Sequence, residues 1–324
     1  MRAAVHERFG PPENVVEIRE VEKPEPGDDE VLVRVRATSA NIAEWYAVTG
    51  RPWIARPTMG FRGPRDIRIG VDYAGVVEAV GKDVTEFRPG DEVFGGRSGA
   101  YAEYVAVKAE RAIVKKPSNT TFEQAGAAGV AAITALQGLR DQGGLQPGQS
   151  VLINGASGGV GTYAVQIAKA LGGEVTAVCS SPNVEIAQSL GADLVVDYRV
   201  EDVTTRSERY DLVLDIAGTR SFSELRRVLK PDAVVVVVGG PRANRFLGPI
   251  GHVVGSRLRA IRGSQRATFF VAKFNKADME TLRNLLETGE LTSVIDSTYP
   301  LDEIAAALTH MGEGHPRGKI IVTV

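Results

Sequence analysis

Cysteine is almost absent from this chain: one, Cys179, among 324 residues. A lone cysteine excludes an intrachain disulfide and any cysteine-rich metal site. Histidine is scarce as well, with His6, His252, His310 and His315 scattered along the sequence and each read as a surface or structural residue. Long apolar runs are missing. Stretches such as "AVVVVVGG" at 233–240 are far too short to span a bilayer. Neither sign of charge dominates: 38 Lys and Arg stand against 40 Asp and Glu, for a net charge of −2. No basic stripe suits nucleic acid and no basic amphipathic helix suits a membrane surface. The opening "MRAAVHERFG" lacks the apolar core of a signal peptide and alternates like a strand. The expectation is a soluble, cytoplasmic protein whose partner is a small molecule. Internal repeats and low-complexity tracts are absent too.

What is present is organised in two patterns. The length favours two domains. Residues 1–120 read as short strands. "EVLVRVRATSA" (30–40) puts Val31, Val33 and Val35 on one face, with Leu32, Arg34 and Arg36 opposite. "DYAGVVEAVG", "GDEVFGG" and "AYAEYVAVKAERAIVKKP" continue the series between Pro and Gly turns, which suggests a closed or partly closed barrel. From about residue 121 the chain turns helical, with Thr120 or Thr121 as the cap. Apolar strands then alternate with helices, the mark of a parallel sheet covered on both faces. The tail, "FFVAKFN", two helices and "GKIIVTV", is too small to fold alone and is expected to pack back onto the first domain.

"SVLINGASGGVG" is strand, glycine turn and helix start, and helix 159–171 feeds the strand "EVTAVC". In that βαβ context the spacing Ala156-x-Gly158-x-x-Gly161 is a variant dinucleotide fingerprint. Gly158 lets backbone approach a pyrophosphate, and Gly161 lets helix sit close to strand. The N–H groups at the helix start, among Gly159, Val160 and Gly161, favour an anion. Where an NAD site carries an acid at the end of the second strand, this chain has "AVCSSPN". Ser180, Ser181 and Asn183 are uncharged and can donate to a 2′-phosphate. Tyr198 and Arg199 follow on the next strand. The reading is NADP(H), with a strand-end aromatic and a solvated charge as the plainer account of the last two.

These segments, with "GVDYAGVVEAVG", "FRPGDEVFG", "GAYAEYVAV" and "AAGVAAITALQGL", resemble the medium-chain dehydrogenase/reductase superfamily, and within it the zinc-independent quinone oxidoreductases of the zeta-crystallin type. The resemblance runs nearly end to end. It implies an α/β protein: a doubly wound Rossmann sheet at 123–267, and a discontinuous GroES-like β-barrel catalytic domain at 1–122 and 268–324. Relatives are commonly homodimers joined through the sheet edge, for which "FFVAKFN" is the candidate. Where zinc-containing members have a "GHE" ligand motif, this chain has Gly70, Val71 and Asp72, and Asn41 stands where their first cysteine ligand falls. One cysteine and four scattered histidines cannot rebuild either zinc site. Asp72 is read as structural, paired with a nearby arginine.

The resemblance implies substrate contacts at Asn41 and Tyr46. Asn41 either bonds a substrate carbonyl or closes a turn on its own backbone. Tyr46 either donates a hydrogen bond or proton, or is a core aromatic with a wet hydroxyl. Thr134 resembles the threonine beside the nicotinamide half. Gly239 and Gly240 lie at a strand end, and Phe269 and Phe270 match the segment near the carboxamide. Arg317 and Lys319 either reach the cofactor or close the cleft, or form a solvated tail. Cys179 reads as a small buried residue. Residues 50–69, with Trp53, Met59 and Phe61, are read as a pocket lid or a surface loop. Without a metal, quinones and α,β-unsaturated carbonyls remain good hydride acceptors, since they delocalise the charge onto oxygen. The alternatives are a zinc-independent alcohol or aldehyde oxidoreductase and a nucleotide-binding sensor with weak catalysis.

Overall fold

The computed structural model describes residues 1–60, 63–240, 245–260, 264–314 and 316–324. Its contacts divide the chain into two units. The first comprises Met1–Arg51, Ala55–Ile133 and Lys273–Val324; the second comprises Pro52–Ile54 and Thr134–Ala272.

Seven strands open the first unit: β1 (Arg2–Val5), β2 (Glu17–Glu20), β3 (Glu30–Ala40), β4 (Asp72–Val80), β5 (Glu92–Gly96), β6 (Tyr104–Lys108) and β7 (Ile113–Lys115). The second unit contributes β8 (Ser150–Asn154), β9 (Glu174–Cys179), β10 (Leu194–Asp197), β11 (Tyr210–Asp215), β12 (Leu229–Val237) and β13 (Arg266–Phe269). The chain then returns to the first unit for β14 (Ile295–Pro300) and β15 (Lys319–Thr323).

In the first unit β14, β15, β3, β4, β5 and β7 follow one another in a single sheet, and β6 pairs with β3. β3 carries the alternation expected of it. Val31, Val33 and Val35 are buried with Tyr73 and Val93, while Arg34 and Arg36 are exposed. Bulges after Leu32 and Val35 bend the strand, so its first half meets β6 and its last residues meet β15. That bend brings Ser39 and the following Asn41 beside the start of the last strand. The chain next enters a helix, Ile42–Thr49, ended by Gly50 at φ 63°. No helix is expected here from the sequence pattern.

The second unit is a six-stranded parallel sheet in the order β10-β9-β8-β11-β12-β13. The chain winds outward from β8 to β10, then restarts at β11 and winds the other way. The reversal lies between β8 and β11, the place where doubly wound sheets bind ligands.

The unit boundaries differ from those read in the sequence. Thr121 caps the helix Phe122–Ala127 with a reciprocal Gln124 bond, as expected of one of the two threonines. Yet Ala127 is buried with Ala37 of β3 and Ile321 of β15, with Phe122 packed against them. The helix therefore belongs to the first unit, and the division falls after Ile133 rather than after residue 122. At the other end Thr268 and Phe269 pair with Val236 and Val237, so the second unit runs to Ala272 rather than residue 267.

Candidate active site

The carboxyl ends of the strands in the second unit form one row. Register pairs Asp197 with Cys179, Val178 with Asn154, Asn154 with Asp215, Asp215 with Val237, and Val237 with Phe269. The glycine turn leaves this row at Asn154. Gly155 takes φ 97°, and the helix Gly159–Ala170 starts from Gly158, which caps it with no side chain. The first N–H groups of a helix have no intrahelical acceptor, so those of Gly159, Val160 and Gly161 face an open end. The glycines have separate jobs. A Cβ on Gly161 would lie 2.1 Å from the Gly155 carbonyl, so helix and turn pack backbone to backbone. A Cβ on Gly158 would meet nothing closer than 3.9 Å, so its face is open. Ala156 is fully buried beneath the turn.

At the end of β9, Ser180 and Asn183 are buried and bonded to each other, Nδ2 to Oγ at 2.9 Å. The Asn183 Oδ1 is buried without a partner among the described residues. Ser181 is exposed. Asp197, not singled out in the sequence, ends β10 opposite Cys179. Bonds from Ser181 and from the Arg199 N–H hold its carboxyl below the usual range, so it is an anion beside Ser181. Tyr198 is half exposed and Arg199 exposed. Cys179 is buried, and burial with the Asp197 charge pushes its thiol up to about 11, so it is inert near neutral pH.

Asp215 ends β11 and is fully buried. It accepts from Asn154 Nδ2 at 2.7 Å and the Gly218 N–H at 3.0 Å, and lies 2.9 Å from His252 Nε2. This network was missed in the sequence, where Asn154 and Asp215 look like ordinary strand ends. Gly239 and Gly240 follow β12, and a Cβ on Gly218 would strike Gly240 at 2.3 Å. Phe269 ends β13, and Phe270 lies against Gly138. Thr134 opens this unit's share of the helix Val130–Gln137.

The first unit builds a different site. Asn41 precedes the helix Ile42–Thr49 but does not cap it with its side chain. Its Nδ2 donates to Asp72 Oδ2 at 3.0 Å and Glu44 Oε1 at 3.2 Å, with the Ser39 carbonyl at 3.4 Å. Its Oδ1 accepts from Lys319 Nζ. Both ends of the amide are thus engaged inside the protein. Asp72 also accepts from Ser39 Oγ at 2.6 Å and the Val130 N–H at 2.7 Å, and Lys319 stands 3.5 Å away. The partner of Asp72 is therefore a lysine, not the arginine expected. Lys319 is buried here, so it is not part of a solvated tail. Arg317 is exposed, its backbone N–H bonded to Asp296. Tyr46 is half-buried on the helix, edge-on to Trp45.

A cavity of about 330 Å³ opens beside this cluster, walled by His6, Ala43, Glu44 and Ala47 and by residues of the expected lid such as Met59 and Asp66. Phe61 and His315 lie outside the described residues. Trp53 and Ile54 bond to Arg245 and Phe246 and so belong to the second unit. Among the described residues, no group of three or more His, Cys, Asp and Glu side chains is placed to hold a metal ion, and no helix is long and apolar enough to cross a membrane.

Residues 27–118 match the alcohol dehydrogenase GroES-like domain, and residues 190–322 match the zinc-binding dehydrogenase family. The chain is 32% identical over 338 residues to the chloroplastic quinone oxidoreductase QR1 of Triphysaria versicolor, covering 99% of this chain and 98% of that one. The chain belongs to the medium-chain dehydrogenase/reductase superfamily, in its quinone oxidoreductase branch. A trans-enoyl reductase of Aspergillus terreus is 32% identical over 321 residues, covering 92% and 87%. The solved quinone oxidoreductase of Coxiella burnetii superposes with a TM-score of 0.85 at 28% identity, covering 100% of this chain and 99% of that one.

As a member of this superfamily the protein is an NAD(P)H oxidoreductase with a GroES-like unit and a Rossmann unit. Its own residues fit such a nucleotide. The turn at Gly158 is open, the helix behind it is uncapped, and the buried Asn183 Oδ1 lacks a partner at the same strand-end row.

Proposed function

We propose that the protein is an NADPH-dependent reductase of quinones and α,β-unsaturated carbonyls that works without zinc. The observation that carries the reading is the open face of Gly158 before an uncapped helix, at the point where the sheet reverses its winding. There the N–H groups of Gly159–Gly161 hold the pyrophosphate, and Ser180, Ser181 and Asn183 receive the adenosine ribose. Thr134, Gly239, Gly240 and Phe270 border the nicotinamide half. The bound dinucleotide supplies the hydride. Ser180, Ser181, Asn183 and Arg199 favour a 2′-phosphate, against the single opposing charge of Asp197. The names of the quinone oxidoreductase and trans-enoyl reductase relatives support both acceptor classes. Independence of zinc is supported by the residues themselves. Asn41 and Val71 stand where the resemblance puts metal ligands, and Asn41 is bonded to an ammonium.

A homodimer joined at β13 completes the proposal. That strand is the sheet edge, with Phe269 and Val271 exposed, and the helix Pro249–Ala260 exposes Ile250, Val254 and Leu258 along one face.

The test is steady-state turnover of menadione, 2-cyclohexenone, simple aldehydes and alcohols with NADPH and NADH, in the presence of EDTA. Reduction of the first two with NADPH supports the proposal. Turnover of alcohols alone, or loss of activity to the chelator, overturns it.

A further inference from the structure

A histidine stands where the parallel sheet reverses its winding. We propose that His252 offers an unprotonated Nδ1 to a hydrogen-bond donor on the nicotinamide half of the dinucleotide, and that Asp215 holds the ring in that form. The role rests on the dinucleotide reading above and deepens it. All the residues involved belong to the second unit.

Placement comes first. Asn154 and Asp215 are register partners on β8 and β11, the two strands between which the winding reverses. The glycine turn follows Asn154, and Asp215 is fully buried. The helix Pro249–Ala260 supplies the histidine. Ser256, one turn after His252, is buried, and Val253 and Ala260 pack with Val235, Val237 and Phe222. That side of the helix therefore faces the sheet. Its start lies against bare backbone: a Cβ on Gly240 would stand 2.8 Å from Pro249 Cα and 3.4 Å from His252 Cβ. His252 is thus held beside Gly240, at the strand ends assigned to the nicotinamide half, and its side chain keeps 12% exposure.

The hydrogen bonds then fix the ring. The two oxygens of Asp215 divide their partners. Oδ1 accepts from Asn154 Nδ2 at 2.7 Å and from the Gly218 N–H at 3.0 Å. Oδ2 lies 2.9 Å from His252 Nε2. A carboxylate only accepts, so the ring hydrogen sits on Nε2, and the other nitrogen of a neutral imidazole is an acceptor. That nitrogen, Nδ1, has no hydrogen-bond partner among the described residues. Its lone pair calls for a donor. A diphosphate offers only acceptor oxygens. The nicotinamide half offers ribose hydroxyls and the carboxamide N–H groups, and either suits. Asp215 acts through the imidazole and is a positioning residue.

Two measurements on the full chain test this. The first is nitrogen NMR of the imidazole in the nucleotide-free protein, with the His252 signals identified by their loss in His252→Phe. A hydrogen on Nε2 and a bare Nδ1 are expected, and the Nδ1 signal should move when NADPH is added. A hydrogen on Nδ1, or a signal that saturating NADPH leaves in place, overturns the proposal.

The second is calorimetric titration. His252→Phe should bind NADPH about threefold to tenfold more weakly, the effect of one lost hydrogen bond. It should bind 2′,5′-ADP, which lacks the nicotinamide half, as wild type does. A loss confined to NADPH assigns the donor to the carboxamide. A loss shared by 2′-phospho-ADP-ribose assigns it to the ribose. Asp215→Asn keeps the Oδ1 bonds and turns an N–H toward His252 Nε2. It should move the ring hydrogen to Nδ1 and weaken NADPH by a similar factor, and it serves if the Phe variant does not fold. Unchanged NADPH affinity in the variants, or an equal loss for 2′,5′-ADP, overturns the proposal while the dinucleotide reading stands. If NADH binds in place of NADPH, then NADH, ADP-ribose and 5′-ADP take the same three parts. A wild type that binds neither dinucleotide overturns both.

Discussion

The Lys319 ammonium donates to the side-chain carbonyl of Asn41 across 278 positions of the sequence. With Asp72 it forms a buried charge pair that fixes the amide, and through the amide Glu44. Removing one member of such a pair leaves an uncompensated charge inside the protein. Lys319→Met is therefore expected to lose about 3–5 kcal/mol in urea unfolding. The double variant Lys319→Met with Asp72→Asn should recover part of that loss. Additive losses would mean that the two side chains do not interact.

Gly158 and Gly161 are expected to respond in opposite ways to the same change. Gly161→Ala drives a methyl into the Gly155 carbonyl, 2.1 Å away, and should unfold the second unit at lower temperature. Gly158→Ala meets no atom closer than 3.9 Å, so the stability change should stay within about 0.5 kcal/mol. Its methyl should enter the space proposed for the nucleotide instead, and dinucleotide affinity should fall about tenfold or more, a loss of about 1.4 kcal/mol. Calorimetric titration with NADPH decides it, since unchanged affinity in Gly158→Ala would place the pyrophosphate elsewhere.

Asp197 is expected to bear on the other end of the nucleotide. Its anionic carboxylate stands beside Ser181, where a 2′-phosphate is expected. Asp197→Asn removes that repulsion and should raise the ratio of kcat/KM for NADPH over NADH by about threefold to tenfold. A ratio that stays put would remove Asp197 from the ribose site.

Stability should carry the mark of Glu44. In the unfolded chain its carboxyl titrates near 4.5, in the folded protein near 7. Between these values the folded state keeps a proton that the unfolded state has released. Its contribution is full below about pH 4.5, falls as pH rises, and is gone above about pH 7. The span corresponds to about 3 kcal/mol at 1.36 kcal/mol per pH unit. Glu44→Gln lacks this slope, so its stability relative to wild type should rise from acid to neutral pH. Parallel curves for the two proteins in urea at several pH values would contradict the assignment.

The glycine turn was legible because its signals are local. A glycine turn between a strand and a helix appears in twelve consecutive letters, and its neighbours follow by strand order. The cluster at Asn41 was not legible. Its partners Glu44, Asp72 and Lys319 sit at separations of 3, 31 and 278 residues, and nothing in "ANIAEWYAVTG" shows what packs against it. The helix Ile42–Thr49 was missed for a related reason: Asn41 does not cap it, and two aromatics and a Val–Thr pair weaken its intrinsic preference. The boundary at Ile133 was displaced because a capping box marks where a helix starts, not which sheet it covers.

β15 is made after every other strand described, yet it supplies the ammonium beside Asn41. During synthesis every residue of the second unit emerges before the first unit can close. The Asn41 amide therefore waits for this partner until residue 319 has been made. The order of manufacture makes the first unit the late step of assembly, and a nascent chain stopped short of residue 319 would carry Asp72 without its cation.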